Sequence, residues 1–374
     1  MIELRSVTKR YGDAAAPAVD DLSMDIGSGE LCVIVGPSGC GKTTTLKMIN
    51  RLIEPTSGEI LIDGEDVLAS NPVELRRRIG YVMQQGGLFP HLRVADNVAT
   101  VPRLLGWPKE KIAARVEELL ELVGLPAATY LRRYPYELSG GERQRVGVAR
   151  ALGGDPPVLL MDEPFGAVDP IARKRLQAEF YELQRRLEKT VVFVTHDIEE
   201  ALFLGKRIAI MQRGAVLEQY DTPQAILAKP ATPFVTQFVG VDRDLQRLAV
   251  TDLSREDLDA APVISAAAST SDAAELLIRL GVARLVVLDA AQQPVGVLGQ
   301  AELSRLAANA GEAAIALGAT LPLGSSLKAA LAALLQSEED LLAITDGSRY
   351  VGLLTMEGLH GAMRRSAGSP PAAD

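Results

Sequence analysis

Apolar residues in this chain fall into short unbroken runs and longer periodic stretches. Residues 31–35, 158–161 and 191–194 are continuous apolar runs rich in Val, Ile and Leu. Runs of that length, bounded by glycine or polar residues, predict strands buried on both faces, as in a parallel sheet. After the first run, residues 42–49 turn to an amphipathic helical pattern. Residues 108–125 place Ile112, Val116, Leu119, Leu120 and Val123 close to helical spacing. Strands alternating with helices predict an α/β fold for the front of the chain.

The back of the chain repeats itself. "LVVLDAAQQPVGVLGQAEL" (285–303) and "LLAITDGSRYVGLLTMEGL" (341–359) align on glycine. Each reads as an apolar strand, a polar turn at Asp289 or Asp346, a second strand and a helix start. Each follows a helical segment, residues 271–281 and 326–337. This predicts two α+β units of about 55 residues.

Composition places the boundary between the two halves. From residue 241 onward stand 17 acidic and 10 basic residues, a net of −7, which leaves −2 for residues 1–240. Beyond 240, Tyr350 is the only aromatic. The reading is a front domain over 1–240, a polar linker over 241–260 around "TDLSREDLDAA", repeats over 261–310 and 311–365, and a disordered tail over 366–374. No stretch has the ~18–20 uncharged apolar residues of a membrane span, and the N-terminus lacks the apolar core of a signal peptide. The chain is therefore expected neither to cross nor to enter a membrane by itself. Two cysteines, Cys32 and Cys40, exclude a disulfide framework and a zinc site and fit a reducing compartment. The net charge of −9 argues against a nucleic-acid partner.

The chemistry begins at "GPSGCGKT" (36–43), which matches G-x-x-x-x-G-K-[ST] between a strand and a helix. Gly36, Ser38, Gly39, Cys40, Gly41, Lys42, Thr43 and Thr44 form a cradle whose backbone N–H groups converge on phosphate oxygens, at the positive end of the helix. Lys42 reaches the β- and γ-phosphates and Thr43 ligates Mg²⁺. Cys40 fills a position the motif leaves free and is read as filler. The run 158–161 delivers Asp162 and Glu163 at its C-terminal end. Neighbouring strand residues point to opposite sides, so Asp162 is expected to hold Mg²⁺ and Glu163 to deprotonate water. Alone, Asp-Glu-Pro also reads as an acidic turn.

"ELSGGERQRVGVARAL" (137–152) sets Ser139, Gly140 and Gly141 before an Arg-rich helix, a second anion-binding terminus. One nucleotide does not need two such sites in one subunit, so the second is expected to serve the nucleotide of another copy. His196 ends the run 191–195; it reads as a γ-phosphate contact or as a solvated strand-end histidine.

With these residues in place, the chain resembles the ATP-binding subunit of an ABC transporter. The phosphate loop matches Walker A, "VLLMDE" Walker B and "LSGGE" the signature motif. Gln84 in "GYVMQQ" matches the Q-loop glutamine, Asp169 the D-loop, His196 the switch histidine, and Tyr11 the aromatic that stacks on adenine. The resemblance implies a P-loop ATPase fold with a helical subdomain over about 86–155. It implies Glu163, His196 and Gln84 in catalysis, with Thr43, Gln84 and Asp162 around Mg²⁺. It also implies a head-to-tail homodimer enclosing two ATP between Walker A of one subunit and Ser139 and Gly141 of the other, with Asp169 at the same interface. Physically this is electrostatic clamping of a phosphoryl transfer.

"GLFPHLRVADNVATVPRLLGWPKEKI", "YPYELSGG" and "MDEPFGAVDPIARKRLQ" are similar to the ATPases of importers for glycine betaine, carnitine and choline. That implies work at the cytoplasmic face of the membrane through separate integral permease subunits, with the solute chosen by an extracytoplasmic binding protein. An importer for another solute, such as an amino acid, and a soluble nucleotide-regulated switch are the competing readings. The repeats resemble a tandem CBS module, which implies dimerisation, ionic sensing, or binding of a nucleotide such as cyclic di-AMP. The usual ribose pattern G-h-h-[ST]-x-x-D is incomplete in both: Gly299 and Glu302 stand in the first copy, Thr355 and Gly358 in the second.

Overall fold

The computed structural model describes residues 1–12, 16–83, 87–166, 168–240, 242–304, 307–317, 320–337 and 340–366. They form two compact units, Met1–Gly240 and Val241–Asp374.

The first unit is built on two sheets. One has six strands in the order Val216–Asp221, Arg207–Gln212, Leu31–Val35, Thr190–Thr195, Val158–Asp162, Ile79–Val82. Its neighbours pair in parallel except Val216–Asp221, which is antiparallel to Arg207–Gln212. Leu31–Val35 and Thr190–Thr195 are buried at every position, as their unbroken apolar runs require. The second sheet is antiparallel, in the order Val19–Ile26, Ile2–Lys9, Ser57–Ile62, Glu65–Asp66. A core containing Ile2, Leu4, Ile34, Leu46, Ile49, Ile60, Leu160 and Val194 joins both sheets to the helix Lys42–Ile49.

Between the strands Ile79–Val82 and Val158–Asp162 the described residues form mainly helices, from Val94–Val98 to Gly140–Leu152. The helix Lys109–Leu122 buries Ile112, Val116, Leu119 and Leu120, the stripe its spacing predicts, and packs on the helix Gly140–Leu152. Asn97 is fully buried and fixes the entry to this region. Its amide accepts from Phe89 N at 2.8 Å and donates to Phe89, Leu92 and Arg93 carbonyls at 3.1 Å.

In the second unit each repeat places a short strand parallel to the first strand of a hairpin. Val263–Ser265 pairs with Arg284–Leu288, which pairs with Pro294–Gly299; Thr320–Pro322 pairs with Leu341–Asp346, which pairs with Arg349–Thr355. Alternation divides each hairpin between two cores. Leu285 and Val287 face Ile264 and Leu277, while Val286 and Leu288 join Leu341, Ala343 and Leu353 of the other repeat.

Three boundaries differ from the sequence reading. The linker is structured: residues Arg243–Val250 form a helix, and Leu248 and Leu253, 3% and 2% exposed, enter the core of the second repeat with Leu327, Leu342 and Ile344. Backbone bonds from Leu253 N to Ser325 O (2.8 Å) and Leu327 N to Thr251 O (2.9 Å) tie it down. The first repeat continues past residue 310, because Ile315–Ala316 pairs with Pro294–Gly299 and adds a fourth strand. The last helix, Met356–Ser366, takes up Ser366, and the rest of the expected tail, 367–374, lies outside the described residues.

Candidate functional site

Three parallel strands end side by side, with Val35 opposite Thr195 and Asp162 opposite Val194. Whatever follows each strand therefore meets at one edge of the sheet: the loop from Gly36, then Asp162 with Glu163, then His196. Ligands of open parallel sheets bind outside such carboxyl ends.

The loop turns on glycine where nothing else fits. Gly41 has φ of 109°, and a Cβ there would lie 2.5 Å from the Ala18 carbonyl oxygen. Gly39 has φ of 76°. The helix Lys42–Ile49 starts at Gly41 without a side-chain cap, so its first N–H groups face the loop. Ser38 and Gly39 are exposed and Thr44 half-buried. Cys40 is fully buried in the core, its carbonyl accepting from Ala215 N at 2.7 Å. Lys42 is 5% exposed and donates through Nζ to the carbonyls of Gly36 (2.7 Å) and Pro37 (3.0 Å), which folds its charge over the loop.

Thr43 Oγ1 donates to Asp162 Oδ1 at 2.8 Å, joining a hydroxyl and a carboxylate from opposite ends of the sequence motif set. Burial pushes the Asp162 carboxyl above its ordinary value, the Thr43 bond opposes this, and the Glu163 charge adds to it. Tyr81 is on the neighbouring strand; burial and the Asp162 carboxylate push its hydroxyl above its ordinary value and keep it protonated. Sequence reading passed over Tyr81. Its only signal was a hydroxyl in an otherwise apolar strand, three positions before Gln84.

Glu163 has a left-handed backbone, φ 44°, and its N–H donates to Val194 O at 2.9 Å. That twist separates its side chain from Asp162 and brings Oε1 to 3.3 Å from His196 Nδ1. His196 is 55% exposed at its side chain.

The other expected residues stand apart from this cluster. Ser139 caps the helix Gly140–Leu152 in a reciprocal box with Glu142, with bonds of 3.3 Å and 2.6 Å, and remains exposed beside Gly140. A hydrogen bond from Tyr130 and the Ser139 backbone hold the Glu142 carboxyl below its usual range. Gly141 is half-buried. Asp169 caps the helix Pro170–Leu187 by accepting from Ala172 N at 3.0 Å. Tyr11 is 47% exposed, with Lys9 Nζ 5.2 Å from its ring centre. Gln84 lies outside the described residues.

In the second unit the residues of the ribose pattern have local partners. Glu302 Oε2 accepts from Gly299 N at 2.9 Å in the first copy. In the second, the matching Thr355 donates through Oγ1 to Asp259 Oδ2 at 2.9 Å and accepts from the N–H of Gly358, which replaces the acid, at 3.1 Å. Among the described residues no helix is long and apolar enough to cross a membrane.

A family model described as ABC transporter matches residues 19–166. The chain is 44% identical over 363 residues to the osmoprotectant import ATP-binding protein OsmV of Salmonella typhimurium, covering 96% of this chain and 94% of that protein. It is 51% identical over 290 residues to the glycine betaine/carnitine/choline transport ATP-binding protein OpuCA of Bacillus subtilis, 77% of this chain and 76% of that protein. Among solved structures it resembles a dimeric, post-hydrolysis ATP-binding cassette bound to ADP and Pi. That match has a TM-score of 0.53 and 35% identity, over 60% of this chain and 99% of the other.

Proposed function

This chain belongs to the ATP-binding subunits of ABC transporters, and from that premise we propose that it powers import of a quaternary-amine osmoprotectant. The solute is glycine betaine, carnitine or choline, and it passes through separate membrane permease subunits. The observation that carries the reading is the 44% identity to an osmoprotectant import protein over 94% of that protein's length, which takes in both units.

ATP lies on the loop 36–43, its phosphates against the backbone N–H groups and its adenine on Tyr11. Lys42 exchanges the Gly36 and Pro37 carbonyls for phosphate oxygens, moving a buried charge from partial to full partners. The Thr43 hydroxyl and Asp162 carboxylate are all-oxygen donors 2.8 Å apart, a set that suits Mg²⁺ completed by Gln84, phosphates and water. Held by Thr43 and Asp162, Mg²⁺ would supply charge neutralisation for the phosphoryl transfer. Glu163 takes the proton of the attacking water. His196, already within 3.3 Å of Glu163, holds the γ-phosphate side of that water.

Ser139 is exposed and Gly141 half-buried at a helix N-terminus, and neither bonds the loop 36–43 among the described residues, which supports their serving a second copy's ATP. Asp169 lies at the same head-to-tail interface. The subunit sits at the cytoplasmic face, and an extracytoplasmic binding protein selects the solute. The second unit is a tandem CBS module that regulates closure, through dimerisation or a bound nucleotide such as cyclic di-AMP.

Glu163→Gln tests the core of this reading. It should yield a stable ATP-bound dimer by size-exclusion chromatography and abolish betaine uptake in cells carrying the permease. Hydrolysis at the wild-type rate would remove Glu163 as the base; uptake of no quaternary amine by the wild type would remove the substrate.

A further inference from the structure

Glu200 is a carboxylate 6% exposed on the helix Ile198–Leu204, just after His196. It accepts from Gln177 Nε2 at 2.8 Å, and Gln177 is 9% exposed on the helix that Asp169 caps. The Thr195 hydroxyl, on the residue before His196, and the charge of Arg173 both favour the ionised form of Glu200, whose own N–H donates to Asp197 Oδ1 at 3.3 Å. The Thr195 hydroxyl in turn accepts from Asp197 N at 3.1 Å, so both neighbours of His196 are held. On the other side, Arg173 Nη2 donates to the carbonyl of Val168 at 3.1 Å, next to Asp169.

Burying a carboxylate carries a desolvation cost even when it is paired, and two leucines would join these helices at lower cost. What the polar arrangement adds is direction: each bond fixes one group at one angle. We propose that Glu200 is a positioning residue, tying the His196 turn to the Val168–Asp169 turn through Thr195, Gln177 and Arg173. The inference rests on His196 and Asp169 acting in ATP hydrolysis as described above. In a head-to-tail pair Asp169 faces the second copy, so Glu200 makes closure of that interface and placement of His196 one event. Misplacing a catalytic group by about 1 Å costs up to ~10²-fold in rate.

The test uses the purified full chain. Glu200→Gln should lower kcat for ATP about tenfold or more while KM stays within about twofold, because the loop 36–43 is untouched. The exchange Glu200→Gln with Gln177→Glu returns a carboxylate to the same gap and should restore most of kcat. A purely structural role would instead lower the melting temperature of Glu200→Gln without rescue of kcat by the exchange, and that result overturns the proposal. Should Glu200→Gln not fold, Gln177→Leu removes the tie from the other side and must show the same loss of kcat. His196→Ala separates the two levels. If it hydrolyses normally, the catalytic reading fails and this inference with it; if it is inactive while Glu200→Gln is wild-type, only the inference fails.

Discussion

Replacing Leu248 by Ala tests whether the stretch between the two halves belongs to the second repeat. Leu248 is 3% exposed and is the buried residue of the helix Arg243–Val250, whose Arg247 also donates through Nε to Ser366 Oγ at 3.2 Å. Buried Leu→Ala changes cost about 2–5 kcal/mol, through lost transfer energy and the cavity left behind. With Leu327, Leu334 and Leu342 lining the site, a value near 3 kcal/mol is expected. Urea slopes for units of this size are about 1–3 kcal/mol per M, so the midpoint of the second unit should fall by about 1.5 M. Trp107 is the only tryptophan and lies in the first unit, so its fluorescence follows that unit alone, whereas far-UV circular dichroism follows both. Leu248→Ala should move the early part of the dichroism transition and leave the Trp107 midpoint in place. Leu245→Ala, at a position 61% exposed, should stay within about 0.5 kcal/mol of wild type. Equal shifts in both signals, or none in either, would refute the assignment.

Lys42→Ala should weaken ATP binding about 100-fold or more, since it removes a charge-assisted phosphate contact; calorimetry with ATP and Mg²⁺ checks it, and unchanged affinity would remove the loop as the phosphate site. The depressed Glu142 carboxyl makes the cap at Ser139 pH-dependent. Its contribution is complete above the ordinary glutamate value of about 4.3 and is lost as pH falls through the lower folded value, so amide exchange at Ser139 and Glu142 should rise in that acid window and lose its pH dependence in Glu142→Gln. Residues 241–374, a fragment that keeps the Leu248 helix, should bind cyclic di-AMP at micromolar concentration or tighter in calorimetry if the module reads that nucleotide. A stable dimer without binding would leave dimerisation as its role.

The candidate nucleotide site was legible because its chemistry is local. Eight consecutive residues carry the proposed phosphate cradle, and the glycines at 39 and 41 stand where a positive φ is required. Adjacent strand runs then put Asp162, Glu163 and His196 at one edge without further information. The linker failed for the opposite reason. Leu248, Leu253 and Leu258 are five residues apart, which matches neither a helix nor a strand period, and their partners lie some eighty residues on. Acidic and hydroxyl residues between them read as solvated, though Asp257 is 5% exposed and bonds Ser254 and Arg365. The Gln177–Glu200 bond was equally invisible, since nothing in two polar letters 23 positions apart says that they face each other.

The second repeat encloses the first along the chain: its core starts at the helix Arg243–Val250 and resumes only at Thr320. A ribosome therefore releases Leu248 and Leu253 roughly seventy residues before anything can cover them, while the intervening repeat completes its own sheet. Any premature stop between 316 and 341 leaves Leu248 and Leu253 uncovered, together with the Val286, Leu288 and Val297 face of the first repeat. Such a product is a target for aggregation and proteases and not a half-sized regulator. The pair of repeats is thus translated, kept or lost as one piece, and a shortened gene has to end before residue 243 to leave a clean protein.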